Sequence, residues 1–283
     1  MTFAIALGLS ASLCWGTADF FGGLQSRRLP ALVVALWSQL AGGLVLLPAL
    51  PALGERPTLR AVAFGLVAGV FGGSALFAFY RGLAEGAMSV VAPVSACAGV
   101  VPVVAAVVGG TPPSLPETLG MVAALAGVVL VSRASSADQH PGGRPGMMVA
   151  LALYAALGFG LYFVLIHAGS QGPGGSPLWA VAAGRGGSLA VLLSIAARGR
   201  AALPWPGRRL PLLAAVGVGD TLANLLFAFG STRGNLGVVG VLSSLYPVVT
   251  VLLARLVLAE RLSVTQNSGV VLSLVGVALL AAG

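Results

Sequence analysis

The chain contains no lysine, and charge of either sign is scarce. Its 283 residues hold 15 arginines, 7 acidic side chains and 2 histidines. Charged residues make up 8% of the total, against roughly a quarter in soluble domains. That is too few to cover a water-facing surface, so a lipid bilayer is the expected surroundings. Without lysine the phosphate-binding pattern GxxxxGK[ST] cannot occur, and an ATP-driven site within this chain is not expected. Neither HExxH nor a Cys/His cluster is present. The 2 cysteines, Cys14 and Cys97, are isolated in apolar runs, so they form no disulfide framework or metal set. No nucleophile–base arrangement is visible, and an enzyme is not expected. The arginines are scattered singly or in pairs, which reads as membrane topology and not as a nucleic-acid-binding patch. No cofactor and no nucleic-acid partner are expected. An all-arginine basic set is a codon-usage signature of a GC-rich genome, and a bacterial cell membrane is the expected location.

What is abundant is apolar length. Hydrophobic residues make up 58% of the chain, and the mean hydropathy is +1.01. A helix needs about 20 such residues, rising 1.5 Å each, to cross a bilayer. Ten segments qualify: 3–24, 30–53, 59–81, 86–109, 115–132, 146–168, 178–197, 209–231, 235–257 and 263–282. The breaks between them carry Gly, Pro, Arg and polar clusters, such as "QSRRLP", "GGTPPSLPE" and "RGRAALPWPGRRLP". The first run lacks a basic leader, so it is expected to be a retained helix and not a cleaved signal.

The longest polar stretch, near residues 134–145, divides two similar halves, 1–133 and 146–283. "GTADFF" at 16–21 aligns with "GFGLYF" at 158–163, and "SVVAPVSA" at 89–96 with "GVVGVLSS" at 237–244. "VPVVAAVV" at 101–108 aligns with "YPVVTVLL" at 246–253, and "GMVAALAGVVL" at 120–130 with "GVVLSLVGVAL" at 269–279. Five spans per copy is an odd number, so the second copy enters from the opposite side. The expected fold is therefore all-α and integral to the membrane, with ten transmembrane helices arranged as two five-helix inverted repeats.

On these motifs the chain resembles the EamA-type transporters of the drug/metabolite transporter superfamily. The likeness is densest in "SSLYPVVTVLLARLVLAERLSVTQNSGVVLSLVGVALL", residues 243–280, with Pro247, the Glu260–Arg261 pair, Gly269 and Gly276. Arg185 also stands where such proteins often carry an arginine. The first half departs from the pattern: Ser38 occupies the place of Arg185, and no Glu–Arg pair precedes Gly120. The resemblance implies a multi-pass secondary transporter for a small-molecule solute, with protons as a candidate coupling ion. An amino acid or related metabolite, exported, is the first expectation. A lipophilic drug or lipid-like compound is the alternative, and a non-transporting scaffold or sensor is a third class. The oligomeric state is left open.

In a bilayer the informative residues are polar ones in mid-span. A charge at the centre costs about 2.5–3.5 kcal/mol on insertion scales, and such residues face a cavity or a partner. Asp220 lies about 15 Å into its span, with Asn224 at i+4 on the same face. Arg185, flanked by Gly184, Gly186 and Gly187, could hold a carboxylate. Asp19 lies roughly 8 Å from the end of the first span, within reach of Arg27 or Arg28. It stands either at the interface or in a cavity. Trp15 shares its face at i−4. Trp37, Gln39, Tyr154, Tyr162 and Tyr246 complete the candidate cavity lining. Gly65, Gly69 and Gly73, at steps of four, allow close helix contact. Pro93, Pro102 and Pro247 predict kinks.

Orientation is contested. Of the 15 arginines, 11 fall in odd-numbered connections, 3 in even-numbered ones (Arg56, Arg60 and Arg233), and Arg185 lies within a span. The positive-inside bias puts both termini outside, whereas the resemblance implies both inside. Alkaline phosphatase fused to the C-terminus is expected to be active, and a green fluorescent protein fused there dark. The opposite result would rule out the charge-bias orientation.

Overall fold

The computed structural model describes residues 2–52, 54–85, 91, 94–131, 145–258 and 263–282. These are overwhelmingly helical, and no strand occurs among them. In chain order the helices are α1 (Thr2–Ser26), α2 (Ala31–Leu46), α3 (Leu59–Glu85), α4 (Val100–Val108) and α5 (Leu115–Val131). They continue with α6 (Pro145–Ser170), α7 (Pro177–Arg198), α8 (Leu210–Ser231), α9 (Leu236–Ser243), α10 (Tyr246–Leu258) and α11 (Val264–Ala282). A one-turn helix, Ala49–Ala52, follows α2. Six helical stretches are long and apolar enough to cross a membrane, and four shorter apolar ones accompany them. The outer surface is apolar, with Leu13, Val122, Leu256 and Val271 all exposed. Pro93, the Glu260–Arg261 pair and residues 134–144 of the connecting segment lie outside the described residues.

Two expected spans are interrupted, and at matching positions. Before Pro102 the chain passes through a 3-10 turn, Cys97–Gly99. Before Pro247 the helix breaks at 244–245, between α9 and α10. A proline has no N–H for the carbonyl four residues earlier, here Ala98 or Ser243, so the helical ladder is interrupted there. A second matched feature opens α5 and α11. Ser114 and Glu117 cap each other reciprocally, with the Ser114 N–H donating to Glu117 Oε2 at 2.6 Å and the Glu117 N–H to Ser114 Oγ at 3.3 Å. Ser263 and Gln266 do the same at 2.8 and 3.2 Å. This is a capping box, which satisfies helix-end donors that lack intrahelical partners.

Small residues set the packing, because lipid offers no hydrophobic drive for helices to associate. Along α3, Gly65, Gly69 and Gly73 face Ala180, Gly184 and Ser188 of α7, so closely that a Cβ on Gly69 would overlap the Gly184 carbonyl. Ser188 Oγ donates to the Gly69 carbonyl at 3.0 Å across this contact. The same device joins α2 to α8, where a Cβ on Gly42 would sit 2.7 Å from the Gly217 carbonyl oxygen. Pairing across the repeats is reciprocal. The α1 and α2 helices pack on α8, while α6 and α7 pack on α3. The α5 and α11 helices pack chiefly on each other, at the periphery.

Replacing Gly69 with valine is expected to cost more than the ~1–3 kcal/mol of ordinary overpacking, since the obstacle is backbone. Gly186→Ala, whose added carbon would meet only Leu66 at 3.6 Å, is the control. Yield of monodisperse protein in detergent separates them, and equal yields would refute the close-contact account.

Candidate functional site

The helix crossings leave a cavity at their centre. It is lined by Trp15 and Asp19 (α1), Gln39 (α2), Gly72 and Leu76 (α3), and Phe159, Tyr162 and Phe163 (α6). Gly184, Arg185 and Ser188 (α7), Asp220 and Asn224 (α8), and Tyr246 (α10) complete the lining. The space open to the centres of water molecules is about 50 Å³, room for a few waters at the ~10–15 Å³ that each needs. Sites for drug-sized ligands run to roughly 300–1,000 Å³, so the cavity is narrow for such a ligand. A larger apolar groove between α1 and α8, lined by Leu13, Thr17, Phe21, Leu212 and Gly219 among others, contains no charged group.

Asp220 organises the polar side of the cavity. Its Oδ2 accepts from Arg185 Nη1 at 2.5 Å and from Gln39 Nε2 at 3.0 Å. Its Oδ1 accepts from Trp15 Nε1 at 2.9 Å and Asn224 Nδ2 at 3.2 Å. Four donors from four helices thus meet one carboxylate. Arg185 Nη1 also donates to Gln39 Oε1 at 2.7 Å. The guanidinium is buried, with 6% of the side chain exposed, and its Nη2 has no hydrogen-bond partner. A buried donor left unmade costs about 1–3 kcal/mol, and more for a charged group. Asp19 supplies a second carboxylate to the same cavity. No donor among the described residues reaches it. Among the described residues the site therefore holds two carboxylates and one guanidinium whose Nη2 has both N–H bonds unspent.

Aromatic rings make the other wall. Trp15 lies 5.3 Å from Phe163, and Phe163 lies 4.5 Å from Phe227, measured between ring centroids. Tyr246 is held by a 2.8 Å hydrogen bond between its hydroxyl and Ser95 Oγ.

Eight of the expected residues meet here: Trp15, Asp19, Gln39, Tyr162, Arg185, Asp220, Asn224 and Tyr246. Two do not. Trp37 packs edge-on against Trp205 at 4.8 Å, because two helical steps from Gln39 rotate a side chain about 200° away. Tyr154 is 51% exposed and donates to Ser74 Oγ at 2.9 Å. Eight residues before Tyr162 amount to about 12 Å along the axis. Of the two places open to Asp19, the structure shows the cavity: its side chain lines it and pairs with neither Arg27 nor Arg28, because the cavity extends along α1 beyond mid-helix. Phe159, Phe163 and Ser188 were not anticipated. Their one signal was helical spacing, with Phe159 at i−3 from Tyr162 and Ser188 at i+3 from Arg185.

A bundle of apolar helices that buries an ion pair around a central cavity is the layout of a polytopic membrane protein that handles solutes. The family comparison identifies which kind. The EamA-like transporter family model matches residues 2–133 and again 146–282, and the chain belongs to this family of multi-pass membrane transporters. Among solved structures 22 chains match. One crystal structure, 22% identical, superposes with a TM-score of 0.77 over 99% of this chain and 96% of its own, which shows a shared fold. No curated protein matches the chain significantly.

Removing Arg185 strands Asp220 as an unpaired buried charge, and Arg185→Ala is expected to destabilise the protein by about 3–5 kcal/mol. Adding Asp220→Asn to that variant should recover part of the loss. Thermal unfolding in detergent tests this, and additive single-variant losses would argue against the pair.

Proposed function

We propose that the protein is a secondary transporter that exports a small organic solute, an amino acid or related metabolite, across a bacterial plasma membrane. In this reading the chain spans the membrane ten times as two inverted five-helix repeats, residues 1–133 and 146–283, joined by a connecting loop at 134–145. The matched proline breaks and capping boxes of the two halves support it. The solute binds in the central cavity, which opens alternately to either side. The observation that carries the proposal is that Arg185, with an unpartnered Nη2, lines a cavity together with Asp19, whose carboxylate no donor among the described residues reaches. A solute carboxylate suits the guanidinium, and an amino group or a coupling proton suits Asp19 or Asp220.

A second reading rests on the aromatic wall of Trp15, Phe159, Tyr162 and Phe163. A lipophilic compound would use that wall and ignore Arg185.

Counterflow of a radiolabelled amino-acid mixture in proteoliposomes distinguishes the two. For a carboxylate-bearing solute, loss of a charge-assisted hydrogen bond in Arg185→Ala or disturbance of the pair in Asp220→Asn should lower uptake about tenfold or more. Unchanged uptake in both variants would exclude the charged-site reading. Insensitivity at Arg185 with loss in Trp15→Ala or Tyr162→Ala would favour the lipophilic one.

A further inference from the structure

Of the seven helices that line the cavity, α10 contributes Tyr246 alone; the other six fall into two triplets, and neither triplet is a sequence half. In the first, α1 and α2 pack on α8. In the second, α6 and α7 pack on α3. Each triplet takes helices from both repeats.

The hydrogen bonds follow the same division. Within the first triplet, Trp15 and Gln39 donate to Asp220, and Arg209 Nη1 donates to Gln25 Oε1 at 3.1 Å. Within the second, Ser188 donates to the Gly69 carbonyl, Tyr154 to Ser74, and Arg60 Nε to the Ala168 carbonyl at 2.9 Å. The short connections before α3 and α7 add Thr58 Oγ1 to the Gly174 carbonyl and Ser176 Oγ to Glu55, each at 2.5 Å. Close glycine contacts also occur inside a triplet: α3 with α7, α3 with α6 at Gly158, and α2 with α8. Between the triplets, Gly22 of α1 meets the tip of the Tyr80 side chain on α3 and Gly43 of α2 meets Arg185 Cβ at 3.6 Å, while Gly16 and Gly160 pack on α10 and α4, outside both triplets.

Across the boundary the described residues make very few polar contacts. At one end of the bundle the His167 ring faces the Ser231 backbone. In the middle stands Arg185 of α7, bonded to Asp220 of α8 and Gln39 of α2. Away from the cavity, α4 packs on α9, with Pro102 against Gly240 and Val103 against Gly237.

We propose that the two triplets are the moving bodies of transport and that Arg185 is the clasp holding them together over the cavity. The inference rests on the transporter reading above and deepens it. A cavity of about 50 Å³ must widen before a metabolite fits, and it can widen only where its walls separate. Apart from Tyr246 of α10, those walls are the two triplets. A solute carboxylate that engages Arg185 competes with Asp220 and Gln39 for the same guanidinium, so binding weakens the bond that keeps the cavity narrow. The α4–α9 contact, beside the two proline breaks, serves as the hinge. Sequence halves moving as rigid units would have to tear α1 from α8 and α6 from α3, which are the extensive contacts. Separating the triplets leaves them intact.

Spin-label distances test this without a solute. In a Cys14→Ala, Cys97→Ala background, cysteines replace exposed residues at one end of the bundle: Arg27 (after α1), Met147 (α6), Arg198 (α7) and Arg208 (before α8). Arg185→Gln, Asp220→Asn and the milder Gln39→Met loosen the clasp. The Arg27–Arg198 distance, between triplets, should lengthen by several ångströms or broaden, and Arg185→Lys should keep it near the starting value. Arg27–Arg208 and Met147–Arg198, each within a triplet, should stay unchanged. Movement of Arg27–Arg208 would mean that the sequence halves move instead and would overturn the proposal, as would three unchanged distances in every loosened variant. Because no solute is present, a failed uptake assay would remove the transport reading while leaving this result to stand by itself.

Discussion

The structure turns on one ion pair, Arg185 with Asp220, held at 2.5 Å in the middle of an apolar bundle. Neither charge would be tolerated there alone, since the desolvation of a lone buried ion amounts to several kcal/mol. Together they are tolerated because the remaining lone pairs of Asp220 are met by Trp15, Gln39 and Asn224. That requirement dictates which faces of α1, α2, α7 and α8 turn inward. It also concentrates the protein's polar chemistry in one cavity.

Around that pair, packing is governed by absence of side chain. Where lipid tails are as apolar as leucine, helices gain from contact only through close approach and interhelical hydrogen bonds. Gly69 opposite Gly184 and Gly42 opposite Gly217 bring backbones together, and Ser188 bonds a carbonyl directly. These contacts join helices from different repeats, so the two halves interlock and do not sit side by side. A two-repeat chain built this way interleaves its halves around the cavity.

Orphan groups are as informative as satisfied ones. Asp220 is saturated and neutralised, which suits a residue that positions its neighbours. Among the described residues, Asp19, which no donor reaches, and the Nη2 of Arg185 are the groups with capacity to spare. Asp220 is the deeper of the two carboxylates along its helix, yet it is Asp19 that keeps acceptor capacity among the described residues.

Much was legible in the sequence because membrane insertion is decided by local composition. Apolar length marked the spans, the spacing of Gly65, Gly69 and Gly73 marked a close helix contact, and Pro102 and Pro247 marked the breaks. Repeat alignment and the motifs of residues 243–280 pointed to the family. Helical phase put Asn224 beside Asp220 and could have excluded Trp37, which lies two positions from Gln39. What only the tertiary structure decided was which faces meet. Arg185 and Asp220 are 35 residues apart and Gln39 lies in the other half, and no periodicity within one helix records a partner on another. The same holds for Asp19, whose distance from the helix end allowed either the interface or a cavity. Its place in the cavity depends on where α3, α6 and α8 leave space, a property of the assembled bundle.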